Sequence, residues 1–321
     1  MIFEKQIVKR YQKQFASRCD DKGLAYYFSA ADFEGLSARP YTFDNGQGKT
    51  LKGYFYHYDN PKKGRLVVFD HGFGGGHRSY MKEIERLCRE GYTVFSYDHT
   101  GCMESQGEGT CGLGRSLSDL DACLQALKGE EGLKDTRFSV IGHSWGGYST
   151  MNISALHPEI AHLVVISGFV SVKRQIDCFF KKLPRGFADA VHAFERRENG
   201  RYADFDGIET LKNTTASVLL IYSENDPLVT REMHFDPLLD ALKDKERVSF
   251  LLEKNKGHNP NYTEDAVKRL GEYTALLQKK QKKKELESDE QRKAFVSSLD
   301  WHAITAQDER VWQKIFKTLE G

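Results

Sequence analysis

The amino-acid sequence predicts an α/β fold in which helices cover both faces of a doubly wound, mostly parallel sheet. Short apolar runs rich in β-branched residues alternate with stretches whose apolar residues recur at helical spacing, the pattern of repeated strand–helix units. The runs lack polar alternation, as expected of strands that are buried on both faces. The chain has 321 residues and is 39% hydrophobic, so it can fill one large core.

A helical leader and an antiparallel strand are expected before the parallel strands of the core. Residues 1–35 mix charged and aromatic side chains and are expected to form a helical leader that packs on the core domain, residues 36–280. Residues 51–58 alternate in polarity and predict an antiparallel edge strand. Further strands are expected near residues 65–70, 92–97, 137–142, 162–167, 217–222 and 247–252, and helices near 78–90, 114–129, 146–156, 233–244 and 263–279.

Residues 171–214 interrupt this alternation, because they carry helical patterns and no strand. A connection that leaves the carboxyl edge of the sheet overhangs that edge, which favours a helical lid over a site there. The alternative is an excursion that packs elsewhere on the sheet. Four lid phenylalanines are candidates for an apolar pocket wall, although each alone fits the interior of the lid better: Phe179, Phe180, Phe187 and Phe194.

Residues 281–321 are expected to form a charged helical extension. Acidic residues directly follow the lysine-rich run at 279–284, which favours a solvated helical face over a nucleic-acid patch. Trp301, Trp312 and Phe316 are expected to dock the segment on the body of the protein or on a second copy of the chain. A homo-oligomer formed through this segment is therefore left open.

A nucleophile motif follows the strand predicted at 137–142. Gly142 and Gly146 lie two residues either side of Ser144, the spacing of a nucleophile elbow, which exposes a serine hydroxyl on a strained turn between a strand and a helix. Glycine is needed at these positions because a Cβ would collide as the chain folds back on itself. The same three positions also occur in ordinary Gly/Ser loops. The motif therefore indicates a nucleophile only if a base and an orienting acid are present as well.

A base and an orienting acid follow downstream in the order Ser, Asp, His. Asp226 lies in the loop after the strand predicted at 217–222, and His258 lies in the loop after the strand predicted at 247–252. Catalytic residues of open α/β sheets gather at the carboxyl ends of the strands. We therefore expect Ser144, Asp226 and His258 to meet at one edge of the sheet.

The glycine-rich loop at residues 71–76 is expected to supply part of an oxyanion hole. It follows the strand at 65–70, where such a loop lets backbone N–H groups approach a developing oxyanion. The predicted donors are the backbone N–H groups of Phe73 and Trp145. The loop has neither the P-loop nor the dinucleotide-binding pattern, so a phosphate cradle is not favoured and no cofactor is expected.

Together these segments resemble the α/β-hydrolase-fold serine hydrolases, in particular the bacterial carboxylesterases and lysophospholipase-like members. The matching motifs fall in family order: His71-Gly-Phe-Gly-Gly, Asp98-His-Thr-Gly101, Gly142-His-Ser-Trp-Gly-Gly, Glu224-Asn-Asp-Pro-Leu-Val and Gly257-His258. The resemblance implies that Ser144 is the nucleophile, Asp226 the acid and His258 the base in hydrolysis of a small-molecule acyl ester through an acyl-enzyme. A peptidase, thioesterase or acyltransferase would use the same triad, and a non-catalytic binding protein is the remote alternative.

Composition excludes several other classes of protein. The formal net charge of +1 gives no general attraction to nucleic acid or to anionic membranes. The first residues mix charges and no apolar run reaches the length of a membrane span, so a cytoplasmic protein without stable membrane insertion is expected. The six cysteines are scattered and are expected to be reduced, with Cys102 and Cys111 sharing one loop. No histidine spacing is typical of a metal site, so no metal is expected.

Overall fold

The computed structural model describes residues 2–181 and 184–321, and these form an eight-stranded sheet flanked by helices. The strands are β1 (Ser37–Asp44), β2 (Thr50–His57), β3 (Arg65–Asp70), β4 (Thr93–Tyr97), β5 (Arg137–His143), β6 (His162–Ile166), β7 (Ser217–Ser223) and β8 (Val248–Glu253). Their order is β1-β2-β4-β3-β5-β6-β7-β8. The pairs β1–β2 and β2–β4 are antiparallel and the other pairs are parallel. The predicted doubly wound, mostly parallel sheet is confirmed.

The sequence pattern does not predict β1. This strand is exposed along most of its length, contains Pro40, and buries only Phe43. An outer strand with one buried side chain shows no apolar alternation, and proline is tolerated there because one side of the strand has no partner. The strand predicted at the edge, β2, is consequently the second strand of the sheet, since β1 covers it.

The apolar strand runs reflect burial on both faces of the sheet. In β3, Leu66 and Val68 belong to the apolar cluster on one face, and Val67 and Phe69 belong to the cluster on the other. Successive side chains of a strand point to opposite faces. A strand that is covered on both sides must therefore be apolar at every position, which explains the continuous run.

The helices follow the predicted alternation and are joined by shorter turns. They are α1 (Ile2–Phe15), α2 (Met81–Arg89), α3 (Arg115–Gly129), α4 (Trp145–Asn152), α5 (Val172–Phe180), α6 (Arg185–Asn199), α7 (Gly207–Asn213), α8 (Asp236–Leu242), α9 (Glu264–Lys282), α10 (Asp289–Ser297), α11 (Trp301–Ile304) and α12 (Glu309–Glu320). The helices α5, α6 and α7 form the insertion between β6 and β7, so the expected helical cap insertion is present.

The C-terminal helix α12 packs on the sheet of its own chain. Its buried residues include Trp312 and Phe316, which join the apolar cluster with Val164 of β6 and Leu219 of β7. The apolar residues of α12 recur at helical spacing and form one stripe. The sequence predicts that the segment docks either on the body of the protein or on a second copy of the chain. The structure shows α12 docked on the body. A homo-oligomer formed through the same segment stays a prediction.

The insertion is fastened to the core by a buried carboxylate. Glu195 of α6 accepts hydrogen bonds from the Tyr11 hydroxyl at 2.6 Å, the Leu113 N–H at 2.8 Å and the Gly114 N–H at 3.1 Å. Phe194 is buried beside it and packs in the main apolar cluster, whereas Phe179 of α5 is 50% exposed. Among the candidate pocket-wall phenylalanines, Phe194 therefore serves the interior and Phe179 is available at the surface.

Candidate active site

Ser144 lies on a strained turn between β5 and α4. Its backbone has φ +57° and ψ −108°, a conformation that is unfavourable for a residue with a Cβ. The turn is closed by glycine on both sides, because a Cβ on Gly142 would overlap the carbonyl group of Gly146 and a Cβ on Gly146 would overlap that of Asp70. The backbone thus has the geometry of a nucleophile elbow.

Asp226 and His258 form a hydrogen-bonded pair at the carboxyl ends of β7 and β8. His258 Nδ1 lies 2.7 Å from Asp226 Oδ2, and the Asp226 side chain is fully buried. Asp226 Oδ1 accepts hydrogen bonds from the N–H groups of Leu228 at 2.8 Å and Val229 at 3.0 Å. These bonds fix the carboxylate and assign the proton of the imidazole to Nδ1, which leaves Nε2 able to accept a proton.

The electrostatics of this pair favour an ionised carboxylate. Burial raises the pKa of the Asp226 carboxyl, but the hydrogen bond and the charge of His258, together with the two backbone N–H groups, outweigh burial and hold the pKa below its ordinary value. Asp226 is therefore charged at neutral pH.

A hydrogen-bond chain joins the elbow, the base and the glycine-rich loop. His143 Nε2 donates to the backbone carbonyl of His258 at 2.7 Å, and His143 Nδ1 accepts from the Tyr80 hydroxyl at 2.8 Å. The same hydroxyl accepts from the Gly72 N–H at 3.1 Å. Burial, and then the charge of His258, lower the pKa of His143 to about 3, so this imidazole stays neutral. No sequence pattern indicates the bond between His143 and the His258 carbonyl.

The glycine-rich loop lies against the elbow. The Phe73 ring lies 5.4 Å from the Trp145 ring between centroids, so the two residues whose N–H groups were predicted as oxyanion donors are neighbours. Trp145 is the first residue of α4, where an N–H has no acceptor within the helix. His71 helps to shape the loop, because its Nδ1 donates to the Gly72 carbonyl at 2.8 Å. The roles of both N–H groups remain predictions.

A buried imidazole with two carboxylates lies directly behind the elbow. His99 Nε2 is 3.0 Å from Asp70 Oδ1 and His99 Nδ1 is 3.3 Å from Asp119 Oδ2, and all three side chains are fully buried. Burial lowers the pKa of His99, but the carboxylates, Asp70 foremost, raise it to about 9. Asp70 also accepts a hydrogen bond from Ser149 of α4. No sequence signal predicts this cluster, because its members lie on three separate segments.

The loop that carries His258 is anchored by the segment before α12. Lys256 is almost completely buried, and its Nζ donates to the Tyr262 carbonyl and, at 2.8 Å, to Asp308 Oδ2. The Asp308 N–H donates to the Asn261 carbonyl at 2.8 Å. Burial raises the pKa of Asp308, but the Lys256 ammonium outweighs burial and lowers it. Residues far apart in the chain thus hold the base in place.

The described residues show neither a candidate metal site nor a candidate membrane span. Within residues 2–181 and 184–321, no group of three or more His, Cys, Asp or Glu side chains is arranged to hold a metal ion. In the same part of the chain, no helix combines the length and the apolar character that crossing a membrane requires.

Comparisons with known proteins agree with this architecture. The family model described as alpha/beta hydrolase fold matches residues 65–207. No curated protein sequence matches the chain. Among solved structures, the esterase Pf2001 of Pyrococcus furiosus is similar over 82% of this chain and 98% of its own, with a TM-score of 0.60 and 21% identity.

Two other solved structures are similar over smaller shares of this chain. The hydrolase GrgF of Penicillium matches 69% of this chain and 91% of its own, with a TM-score of 0.52 and 16% identity. The acylaminoacyl peptidase of Pyrococcus horikoshii matches 71% of this chain and 39% of its own, with a TM-score of 0.53 and 18% identity. Strand order, elbow geometry and the family match agree, and the chain is therefore a protein of the α/β-hydrolase fold.

Proposed function

We propose that this protein is a serine hydrolase that cleaves carboxylic esters through an acyl-enzyme. The observation that supports this most strongly is the oriented Asp226–His258 pair, at 2.7 Å, held against the strained elbow of Ser144 by the His143 bond to the His258 carbonyl. A serine hydroxyl becomes a useful nucleophile when a base with a free nitrogen is fixed beside it. The buried acid selects the tautomer that leaves that nitrogen free.

The proposed reaction has two halves. In the first, His258 Nε2 takes the proton of Ser144 Oγ as the oxygen attacks the ester carbonyl, and the imidazolium then gives this proton to the departing alcohol. The second half repeats the sequence with water as the nucleophile, which releases the acid and regenerates Ser144. The N–H groups of Phe73 and Trp145 are the proposed donors to the oxyanion, and loss of one such donor typically costs about 3–4 kcal/mol.

An apolar acyl group is the proposed ligand of the surface around the triad. Phe73, Phe179 and Leu228 are large apolar side chains with exposures of 36%, 50% and 51%, and each lies on a segment of the site: the glycine-rich loop, the lid helix α5 and the loop after Asp226. Helix α5 is tied to that loop, because Gln175 donates to the Leu228 carbonyl at 3.1 Å. Exposed apolar side chains on the segments that border a site are candidates for binding an apolar group.

The nearest alternative is a peptidase that uses the same three residues, as the name of the Pyrococcus horikoshii neighbour illustrates. Thioesterase and acyltransferase activities share the triad as well, since substrate choice depends on the surrounding surface and not on the fold. The remote alternative is a binding protein without turnover.

Labelling by a fluorophosphonate probe tests the nucleophile directly. We expect the wild-type protein to be labelled at Ser144, and Ser144→Ala to prevent labelling. The exposed Ser17 provides a matched control, because Ser17→Ala should be labelled like the wild type. An unlabelled, folded wild-type protein would refute the serine mechanism.

Turnover of matched substrates then tests the bond that is cleaved. p-Nitrophenyl esters of increasing chain length should be hydrolysed, with kcat/KM rising beyond the acetate because the exposed surface is apolar. The corresponding anilide and thioester should be poorer substrates. Faster turnover of the anilide would establish the peptidase alternative instead.

A further inference from the structure

The segment after α1 is bound closely to the loop that follows β4. Arg18 donates to the backbone carbonyl groups of Met103 at 2.7 Å, Ser105 at 3.0 Å and Gly107 at 2.7 Å. The Cys111 N–H donates to the Phe15 carbonyl at 3.2 Å. The two backbones are thus held together independently of any side chain of cysteine.

Two cysteines face each other across this contact. Cys19 and Cys102 pair as in a parallel bridge, in which the Cys19 N–H donates to the Gly101 carbonyl at 2.9 Å and the Met103 N–H donates to the Cys19 carbonyl at 3.2 Å. Paired residues on adjacent strands lie about 4.8 Å apart, within the Cα separation of about 4.4–6.8 Å that a disulfide spans. Neither thiol is part of a disulfide.

The surroundings of the two thiols give them different reactivity. A hydrogen bond from Cys102 lowers the pKa of the Cys19 thiol to about 7, against the effect of burial and with further help from the Gly74 N–H. The same hydrogen bond, together with burial, raises the pKa of Cys102. Cys19 is half-buried, whereas Cys102 is fully buried, so Cys19 is the more accessible of the two. Because the thiolate is the attacking species, Cys19 reacts first.

We propose that Cys19 and Cys102 form a redox-active dithiol site that reacts with small disulfides. The Cys19 thiolate attacks one sulfur of the reagent, so that a mixed disulfide forms, the S–S bond of the reagent breaks and one thiolate leaves, taking a proton from solvent. Cys102 then loses its proton to solvent and attacks Cys19 Sγ, which expels the second thiolate. The two protein thiols are oxidised to a disulfide and the reagent is reduced to two thiols.

The buried position of Cys102 fits the second role. A resolving thiol needs no access for the reagent, because it attacks a sulfur that is already bound to the protein. Cys111 lacks this arrangement: its thiol donates to the Gly109 carbonyl at 3.3 Å, and burial raises its pKa. Cys111 is half-buried like Cys19, but it is not paired with another cysteine as Cys19 is with Cys102. It is therefore a matched control thiol.

Glutathione disulfide added to the folded wild-type protein tests the site. After quenching with acid, intact mass and a non-reducing peptide map identify the products. We expect the protein to lose two hydrogen atoms, a peptide to appear that links Cys19 to Cys102, and no glutathione to remain bound. The readout does not depend on hydrolase activity, so its failure and a failure of the proposed function are separate results.

Three variants sharpen the test. Cys102→Ser should retain one glutathione on Cys19, Cys19→Ser should take up none at this site, and Cys111→Ser should react like the wild type. The proposal is overturned if the wild type keeps glutathione on Cys19 without forming the cross-link. It is equally overturned if Cys111 reacts before Cys19, or if the cysteines of the folded wild type do not react while those of the urea-unfolded chain do.

Discussion

The buried His99 should make the stability of this protein fall as the pH rises above neutrality. Asp70 and Asp119 flank its imidazole, and its pKa is raised from 6.5 to about 9. A pKa that is higher in the folded than in the unfolded state stabilises the fold fully below the unfolded value, and this stabilisation is lost as the pH rises through the folded value. The structure therefore predicts a loss of about 2–3 kcal/mol of unfolding free energy from this group between pH 7 and pH 10.

Urea unfolding at several pH values, compared between the wild type and His99→Gln, isolates this contribution. The variant lacks the titration, so the difference in unfolding free energy between the two proteins should shrink over the same pH interval. The exposed His302 offers a control, since His302→Gln should follow the wild-type curve throughout. A direct measurement is the NMR titration of the His99 imidazole. Titration of His99 below pH 7, or a difference that does not change with pH, would refute the assignment of a buried cation.

Four further predictions concern the site and one buried residue of α2, Glu83. Ser144→Ala and His258→Ala should each reduce kcat by about 10³–10⁶-fold, and the double variant should be little worse, because the triad acts as a unit; additive losses in steady-state kinetics would contradict this. Asp308→Ala should cost about 3 kcal/mol in urea unfolding, because it leaves the buried Lys256 ammonium unpaired. Asp308 also caps α12, since its side chain accepts a hydrogen bond from the Arg310 N–H at 3.0 Å, and Asp308→Asn, which can keep this cap, should cost less. Phe179→Ala should raise KM for long-chain esters and leave acetate hydrolysis and thermal stability unchanged, since the side chain is half-exposed; an equal loss on both esters would exclude a role in acyl binding. Burial raises the pKa of Glu83 from 4.5 to about 7, so its stabilising effect is lost as the pH rises through about 7, and Glu83→Gln should be more stable than the wild type at pH 8 in the same unfolding assay.

The sequence predicts those parts of the molecule that depend on local pattern. Strands buried on both faces, such as β3, appear as unbroken apolar runs. The elbow is recognisable because only glycine fits at the positions two residues before and two residues after Ser144. The exposed strand β1 leaves no such pattern. The cluster around His99 is not predictable either, because its charged members meet only after the sheet has formed.

The site also contains contacts that no local pattern encodes. The elbow motif contains His143 directly before Ser144. Its hydrogen bond to the His258 carbonyl depends on where the loop after β8 lies in the fold. Lys256 appears in the sequence as one lysine among many, and only the fold shows that it is buried with Asp308 as its partner. Long-range pairing of polar groups is therefore the part of this site that sequence reasoning missed.

The contact between Lys256 and Asp308 has a consequence for the order of events during synthesis. Asp308 is added 52 residues after Lys256, when the strands of the sheet and the elbow are already outside the ribosome. Domains begin to fold while the chain is still being synthesised. At this stage the nascent chain still lacks Asp308, the counterion of Lys256 in the loop that carries His258. We expect stalled chains that expose the whole sheet but not Asp308 to be unreactive toward a fluorophosphonate, and reactivity to appear only once that aspartate has emerged.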